Sequence, residues 1–116
     1  VTTVSSPDQS TQEAVTYLYL LEQDLSPLGL DRKMYKIGVT RLLTRRLQNL
    51  QTGAVVPITV HAVLEIGDKK ETYRIERFLH NKFQDKVGPA GNEWFALSPE
   101  DVEHVKSFGK ENQDVF

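Results

Sequence analysis

Residues 34–51 read MYKIGVTRLLTRRLQNLQ, and a change of period inside this stretch decides the fold. From Met34 to Val39 the side chains alternate, with Tyr35, Ile37 and Val39 on one side of a short strand and Lys36 and Gly38 on the other, which reads as its exposed face. At Thr40 the period changes. Leu43, Leu47 and Leu50 recur at helical spacing, Thr40 is placed to cap a helix from about Arg41 to Gln51, and Gly53 stands just past its end as a stop signal. At about 100° per residue, Arg46 falls about 60° from the leucine stripe, where it is held half-buried against a sheet, while Arg45 faces the other way into solvent.

Working outward from this unit, the flanking segments supply the rest of a small sheet. Upstream, Val15-Thr16-Tyr17-Leu18-Tyr19-Leu20-Leu21 is β-branched, aromatic and apolar, the composition of a buried strand, and Ser26-Pro27-Leu28-Gly29 opens a loop over 25–33. Downstream, Ile58 to Ile66 alternates as a third strand, with Ile58, Val60, Ala62, Leu64 and Ile66 against Thr59, His61, Val63 and Glu65, and Gly67-Asp68 turns the chain. A helix follows from Lys70 to Phe83 with Ile75, Leu79 and Phe83 in line. After it, Glu93-Trp94-Phe95 reads as a short strand, and Ser98 caps a last acidic helix to about Phe108. The order ββαβαβα, without internal repeat, predicts an α+β domain with a small antiparallel β-sheet flanked by helices over residues 15–108. Residues 1–14 read as a flexible N-terminal arm and 109–116 as a frayed tail.

Composition narrows the chemistry. With 116 residues and 39% hydrophobic content the chain is the length of one domain with a modest core. The absence of Cys removes thiol catalysis, disulfides and Cys-containing zinc sites, and the three His lack the close spacing of a metal motif. No apolar run approaches a membrane span and no signal-peptide pattern opens the chain, so the expectation is a soluble, cytoplasmic domain without a membrane partner. The net charge of −2 argues against a broadly basic nucleic-acid coat. The distribution is nonetheless uneven. Arg32, Lys33, Lys36, Arg41, Arg45 and Arg46 crowd the middle of the chain, and both ends are acidic. Such a basic centre is suited to a local anion site, although a solvated helix face accounts for the charges equally well.

On the second helix Glu76 and His80 fall on one flank of the apolar stripe, and a carboxylate at a core margin needs a cation, a donor or a metal beside it. Each candidate has a plainer reading. Arg46 and Glu76 form an interhelical ion pair, His80 is a packed histidine donating to a backbone carbonyl, and Tyr17 and Tyr19, on one strand face, are core.

The ordered set Thr16-Tyr17-Leu18-Tyr19-Leu20-Leu21, Tyr35-Lys36-Ile37-Gly38-Val39-Thr40 followed by Arg46, Ile75-Glu76-Arg77-Phe78-Leu79-His80, and Gly91-Asn92-Glu93-Trp94-Phe95 resembles the motifs of the GIY-YIG nuclease superfamily. It looks closest to the phage- and prokaryote-associated branch with a K-I-G second motif and a late E-x-x-L-H helix. The resemblance covers roughly residues 15–97 and implies a divalent-metal-dependent endonuclease domain that hydrolyses phosphodiester bonds in DNA. It implies Tyr19 near the attacking water, Arg46 on the phosphate and Glu76 holding Mg²⁺ or Mn²⁺; Lys36, a cation suited to the phosphate, and His80, one helical turn from Glu76, complete the candidate catalytic set. Arg41, Arg45, Tyr17 and Asn92 are the candidate nucleic-acid contacts, and Glu71 is a rival metal carboxylate on the opposite flank of its helix. Two positions depart from the pattern: the first motif lacks its Gly, and Lys36 stands where many members carry a second tyrosine. Those departures motivate an alternative, a nucleic-acid-binding module that keeps the fold without the chemistry. A protein-interaction domain using Trp94 and the acidic tail is a third reading. DNA is the expected partner, with RNA left open and a fused or partner DNA-recognition domain expected to supply specificity.

Overall fold

The computed structural model describes residues 15–54, 56–87 and 94–112. Its elements in chain order are β1 (Tyr17–Asp24), β2 (Lys33–Thr40), α1 (Leu43–Thr52), β3 (Thr59–Glu65), α2 (Lys69–Lys82), β4 (Trp94–Phe95), α3 (Pro99–Lys106) and β5 (Lys110–Glu111), with single 3₁₀ turns at Ser26–Leu28 and Gln84–Lys86. The five strands form one antiparallel sheet in the order β4-β2-β1-β3-β5. The expected α+β architecture is therefore the observed one.

The sheet is covered on both faces, which explains the unbroken apolar run of its central strand β1. Leu18 and Leu20 point to one face, where with Tyr35, Ile37, Ala62 and Leu64 they pack against Leu79 and Phe83 at the end of α2 and Val102 and Val105 of α3. Tyr19 and Leu21 point to the other, where with Val63 they meet Leu43, Leu47 and Leu50, the leucine stripe of α1. The stripe, the line of Ile75, Leu79 and Phe83, and the shared face of Tyr17 and Tyr19 all fall where the periodicity puts them.

Four local features differ from the sequence reading. The strict alternation of β3 is broken by a bulge: Leu20 lies opposite Ala62 but Leu21 lies opposite Val60, so His61 is the extra residue. Val60 consequently packs with the α1 face while Ala62 packs on the opposite one. Thr40 ends β2 and does not cap α1; its Oγ1 accepts from the Leu42 amide at 3.0 Å, and the helix begins one residue further on. Lys36 is buried, at 5% exposure. Within the described part of the tail, Lys110 and Glu111 pair with Glu65 and Leu64 along the outer edge of β3.

The last helix starts as expected. Ser98 Oγ accepts from the Asp101 amide at 3.1 Å and the Asp101 carboxylate accepts from the Ser98 amide at 3.0 Å, a reciprocal capping box. Burial pushes the Asp101 carboxyl up, but hydrogen bonds from Lys86 and Ser98 outweigh it and leave the group below its ordinary value. Ser98→Ala is expected to cost about 1 kcal/mol, read as a fall of about 4–8 °C in Tm in a thermal melt. An unchanged midpoint would show that α3 does not depend on this cap.

Candidate active site

Tyr19, Gly38 and Arg46 meet at one point on the α1 face of the sheet. Tyr19 and Gly38 are direct cross-strand partners in β1 and β2. The Tyr19 ring lies flat over that glycine: a methyl group added at Gly38 would sit 2.2 Å from the phenol oxygen and 2.3 Å from Cζ. From the second turn of α1, Arg46 donates its Nε–H to the Tyr19 oxygen at 3.4 Å. Three elements thus deliver three side-chain positions to one contact. Arg46 is more exposed than its helical angle predicts. The angle gives the direction of the side chain but not its length, and the long arginine stays exposed while its Nε reaches the Tyr19 oxygen.

Lys36 lies two residues along the same strand face and does not stand in solvent as an exposed strand residue would. Its ammonium sits 5.9 Å from the centre of the Trp94 ring, and Trp94 is its partner across the β2–β4 pairing. The aromatic cover explains how a lysine is accommodated there, since a ring face attracts a cation. Trp94 is accordingly part of this face and packs with its apolar cluster; it is not an isolated surface aromatic. Tyr35, the neighbouring phenol, does not share this face. It points to the opposite face, its hydroxyl donates to Glu22 at 3.2 Å, and burial first and the Glu22 charge second hold its phenol above the usual range.

Glu76 and His80 come from α2, on the other side of the sheet, at the outer edge of β2. Beyond Lys36 that edge has no strand beside it among the described residues. The His80 Nε2 instead donates to the Ile37 carbonyl at 2.7 Å, and its ring stands edge-on to Phe95 at 5.2 Å. This is the packed-histidine arrangement, and because a carbonyl only accepts, it places the proton on Nε2. Phe83 neighbours Phe95, which pairs with Tyr35, and His80 reaches Ile37, so α2 runs antiparallel to β2. One turn back, about 6 Å along the helix, half-buried Glu76 comes level with the Gly38–Val39 end of the strand. Glu71 is a weaker carboxylate candidate: it opens α2 on the surface with both its oxygens 2.6 Å from Arg74.

Tyr17, Arg41 and Arg45 gather as well. With Thr44 and Gln48 they border a shallow depression at the junction of β1 and the start of α1. Arg45 points away from the leucine stripe as expected, and this direction brings it to the depression's rim. Asn92 lies outside the described residues. Among the described residues no three His, Cys, Asp or Glu side chains cluster as a metal cage. The donor set therefore fits an ion that needs one carboxylate and completes its shell with water and phosphate oxygens, which is the habit of Mg²⁺, and it does not fit zinc. Sequence reasoning passed over Gln23, which lies on the same face of β1 and is buried at 8% exposure. Its parity with Tyr17, Tyr19 and Leu21 was the available signal.

A strand–strand–helix unit that lays a tyrosine over a glycine and brings an arginine to it, followed by a glutamate helix along the strand's open edge, defines a GIY-YIG-like domain. The model of the T5orf172 domain matches residues 16–109, and the chain belongs to that family, which is related to GIY-YIG domains. Neither the curated proteins nor the solved structures include a match.

Proposed function

We propose that this domain is a Mg²⁺- or Mn²⁺-dependent endonuclease acting on phosphodiester bonds in DNA. The observation that carries the reading is the 3.4 Å hydrogen bond from Arg46 to Tyr19 over Gly38. Arg46 binds the phosphate, because a guanidinium presents its donors in a planar fork that matches two phosphate oxygens. Tyr19 accepts from Arg46 through its phenol oxygen, and the attacking water is oriented beside that oxygen. The cationic donor on that oxygen also stabilises negative charge developing there. Lys36, beneath Trp94, adds positive charge to the floor on which the phosphate rests. Glu76 is the residue that would hold the metal, and a bound Mg²⁺ supplies charge relief to the phosphoryl oxygens and the leaving alkoxide. His80 fixes the helix that presents Glu76 through its bond to Ile37. Arg41, Arg45 and Tyr17 extend the contact along the flanking backbone, and with so low a net charge a fused or partner domain is needed to deliver the DNA.

The test is cleavage of DNA in Mg²⁺ or Mn²⁺ against a chelator control, comparing the unmodified chain with Arg46→Ala. The arginine change is expected to lower the single-turnover rate by about a hundredfold or more. Cleavage that persists undiminished, or that proceeds in chelator, overturns the proposal. A second reading, nucleic-acid binding without hydrolysis, is favoured by the buried Lys36 in place of a phenol. Its signature is salt-dependent binding with no cleavage in either ion.

A further inference from the structure

We infer that the cavity beside Trp94 takes an unstacked nucleobase, so that the substrate of the proposed site is a single-stranded or distorted strand and not an undisturbed duplex. The inference rests on the nucleic-acid reading above and deepens it. The cavity has a volume of about 580 Å³ and is walled by Leu25, Leu28, Leu50, Val56, Ile58 and Trp94. That is the size range and the predominantly apolar lining of small-molecule sites. One group inside it is polar and buried. Gln23, at 8% exposure, donates from Nε2 to the Val56 carbonyl at 2.8 Å, and among the described residues nothing donates to its Oε1. An amide acceptor held rigidly in an apolar slot calls for a ligand that brings its own donor. Asn49, also lining the cavity, offers a second amide. Amides matched to a flat heterocycle's edge, with an aromatic wall for stacking, are the chemistry by which proteins hold bases outside a helix.

Position selects a base over other flat ligands. Tyr17, Tyr19, Leu21 and Gln23 alternate along one face of β1, and opposite the last three stand Gly38, Lys36 and Met34. From the Arg46–Tyr19 contact to Gln23 is four residues, about 14 Å at strand rise, or no more than about four nucleotides at the 3.4 Å duplex step. Lys36 and Trp94 lie between, and Trp94 is shared: it covers the lysine on one side and walls the cavity on the other. The track thus runs from arginines through a lysine to an aromatic slot, the combination that follows a sugar-phosphate backbone and stacks its bases. A base in an intact duplex cannot reach such a slot without leaving the stack.

Trp94 is the chain's single tryptophan, so its fluorescence reports on the wall between this cavity and Lys36, and the abasic strand controls for backbone binding at the lysine. The experiment titrates the full chain, in chelator so that no cleavage occurs, with a twelve-nucleotide deoxythymidine strand and with an abasic strand of the same length and charge. The base-bearing strand is expected to quench Trp94 and to bind about tenfold or more tighter, the lower end of what base stacking on an aromatic provides. Gly53→Leu is expected to abolish that preference. Gly53 lines the cavity, has an ordinary φ of −99°, and a Cβ there meets nothing within 4 Å, so the change adds bulk at the cavity's wall without straining the fold. An unchanged thermal midpoint checks this, and Gln23→Leu, expected to weaken the preference severalfold, is the independent variant. Equal affinity for the two strands overturns the inference, as an apolar peptide occupant would require; so does a preference that survives Gly53→Leu, or no binding of either strand. Cleavage with equal affinities removes the base slot and keeps the nuclease, whereas a clear preference without cleavage in Mg²⁺ keeps the slot and removes the hydrolysis.

Discussion

Glu76→Gln is expected to lower divalent-ion-dependent cleavage by about a hundred- to a thousandfold while DNA binding becomes no weaker. The change removes one negative charge and almost no volume, and glutamine is nearly as good a helix former as glutamate. Glu76 is half-buried on a helix anchored elsewhere, by Leu79 and Phe83 in the core and by the His80 bond to Ile37. The fold should therefore stay intact, with a thermal midpoint within a few degrees of the parent. What is lost is the hard anionic oxygen that a Mg²⁺ site with so few protein ligands depends on. Losing an acidic side chain beside a polyanion does not weaken binding, so the two readouts separate: single-turnover rates in Mg²⁺ fall, and anisotropy titrations in chelator do not. Glu71→Gln is the control, because its carboxylate is already engaged with Arg74 on the surface, and it is expected to be neutral in both assays. A Glu76→Gln protein that cleaves at the parent rate would remove the carboxylate from the mechanism.

The candidate site was legible in the sequence where it depends on parity and direction. Tyr19 with Tyr17 on one strand face, Gly38 with Lys36 on one face of the next, Arg46 beside the leucine stripe, and Glu76 with His80 on one flank are read from periods of two and of about 100° per residue. The pairing of Tyr19 with Gly38 comes only from the strand register. What escaped depends on contacts between segments distant in sequence. Lys36 reads as exposed because a charge on an alternating strand normally faces water, and only the pairing with Trp94, far along the chain, covers it. The bulge at His61 leaves no local mark, since it arises from two strands matching a third, and it reverses the face on which Val60 packs. The last strand, at Lys110–Glu111, has neither apolar residues nor β-branching; it exists because the β3 edge offers it hydrogen bonds. Gln23 was passed over for a related reason: a glutamine at the end of a strand reads as solvated until the Val56 carbonyl is seen to bind it.

Gly38→Ala is the smallest change expected to dismantle the site. Gly38 is not there for backbone freedom, because among the described glycines only Gly29 has a positive φ. It is there for space. The added methyl would stand 2.2 Å from the Tyr19 oxygen, 2.3 Å from Cζ and 2.8 Å from Cε1, all far inside contact distance. The ring has no cheap way out, being 2% exposed and wedged among Leu21, Leu43, Ile58 and Val63. Either the ring is driven into that cluster or strand β2 moves off, and overpacking of this kind costs about 1–3 kcal/mol. Thermal unfolding should show a fall of roughly 5–20 °C. The phenol oxygen must also leave its place beside Arg46, so cleavage at a temperature where the variant is still folded should fall with the loss of that contact. A double-mutant cycle identifies the cause. In a Tyr19→Ala background the ring is gone, and the same glycine change should be close to neutral or slightly stabilising, since alanine restricts the unfolded chain. The coupling energy is then about the whole cost of Gly38→Ala in the parent. If Gly38→Ala alone melts within a degree or two of the parent, the ring has room to move, and the close seating of Tyr19 on Gly38 is not what holds the phenol against Arg46.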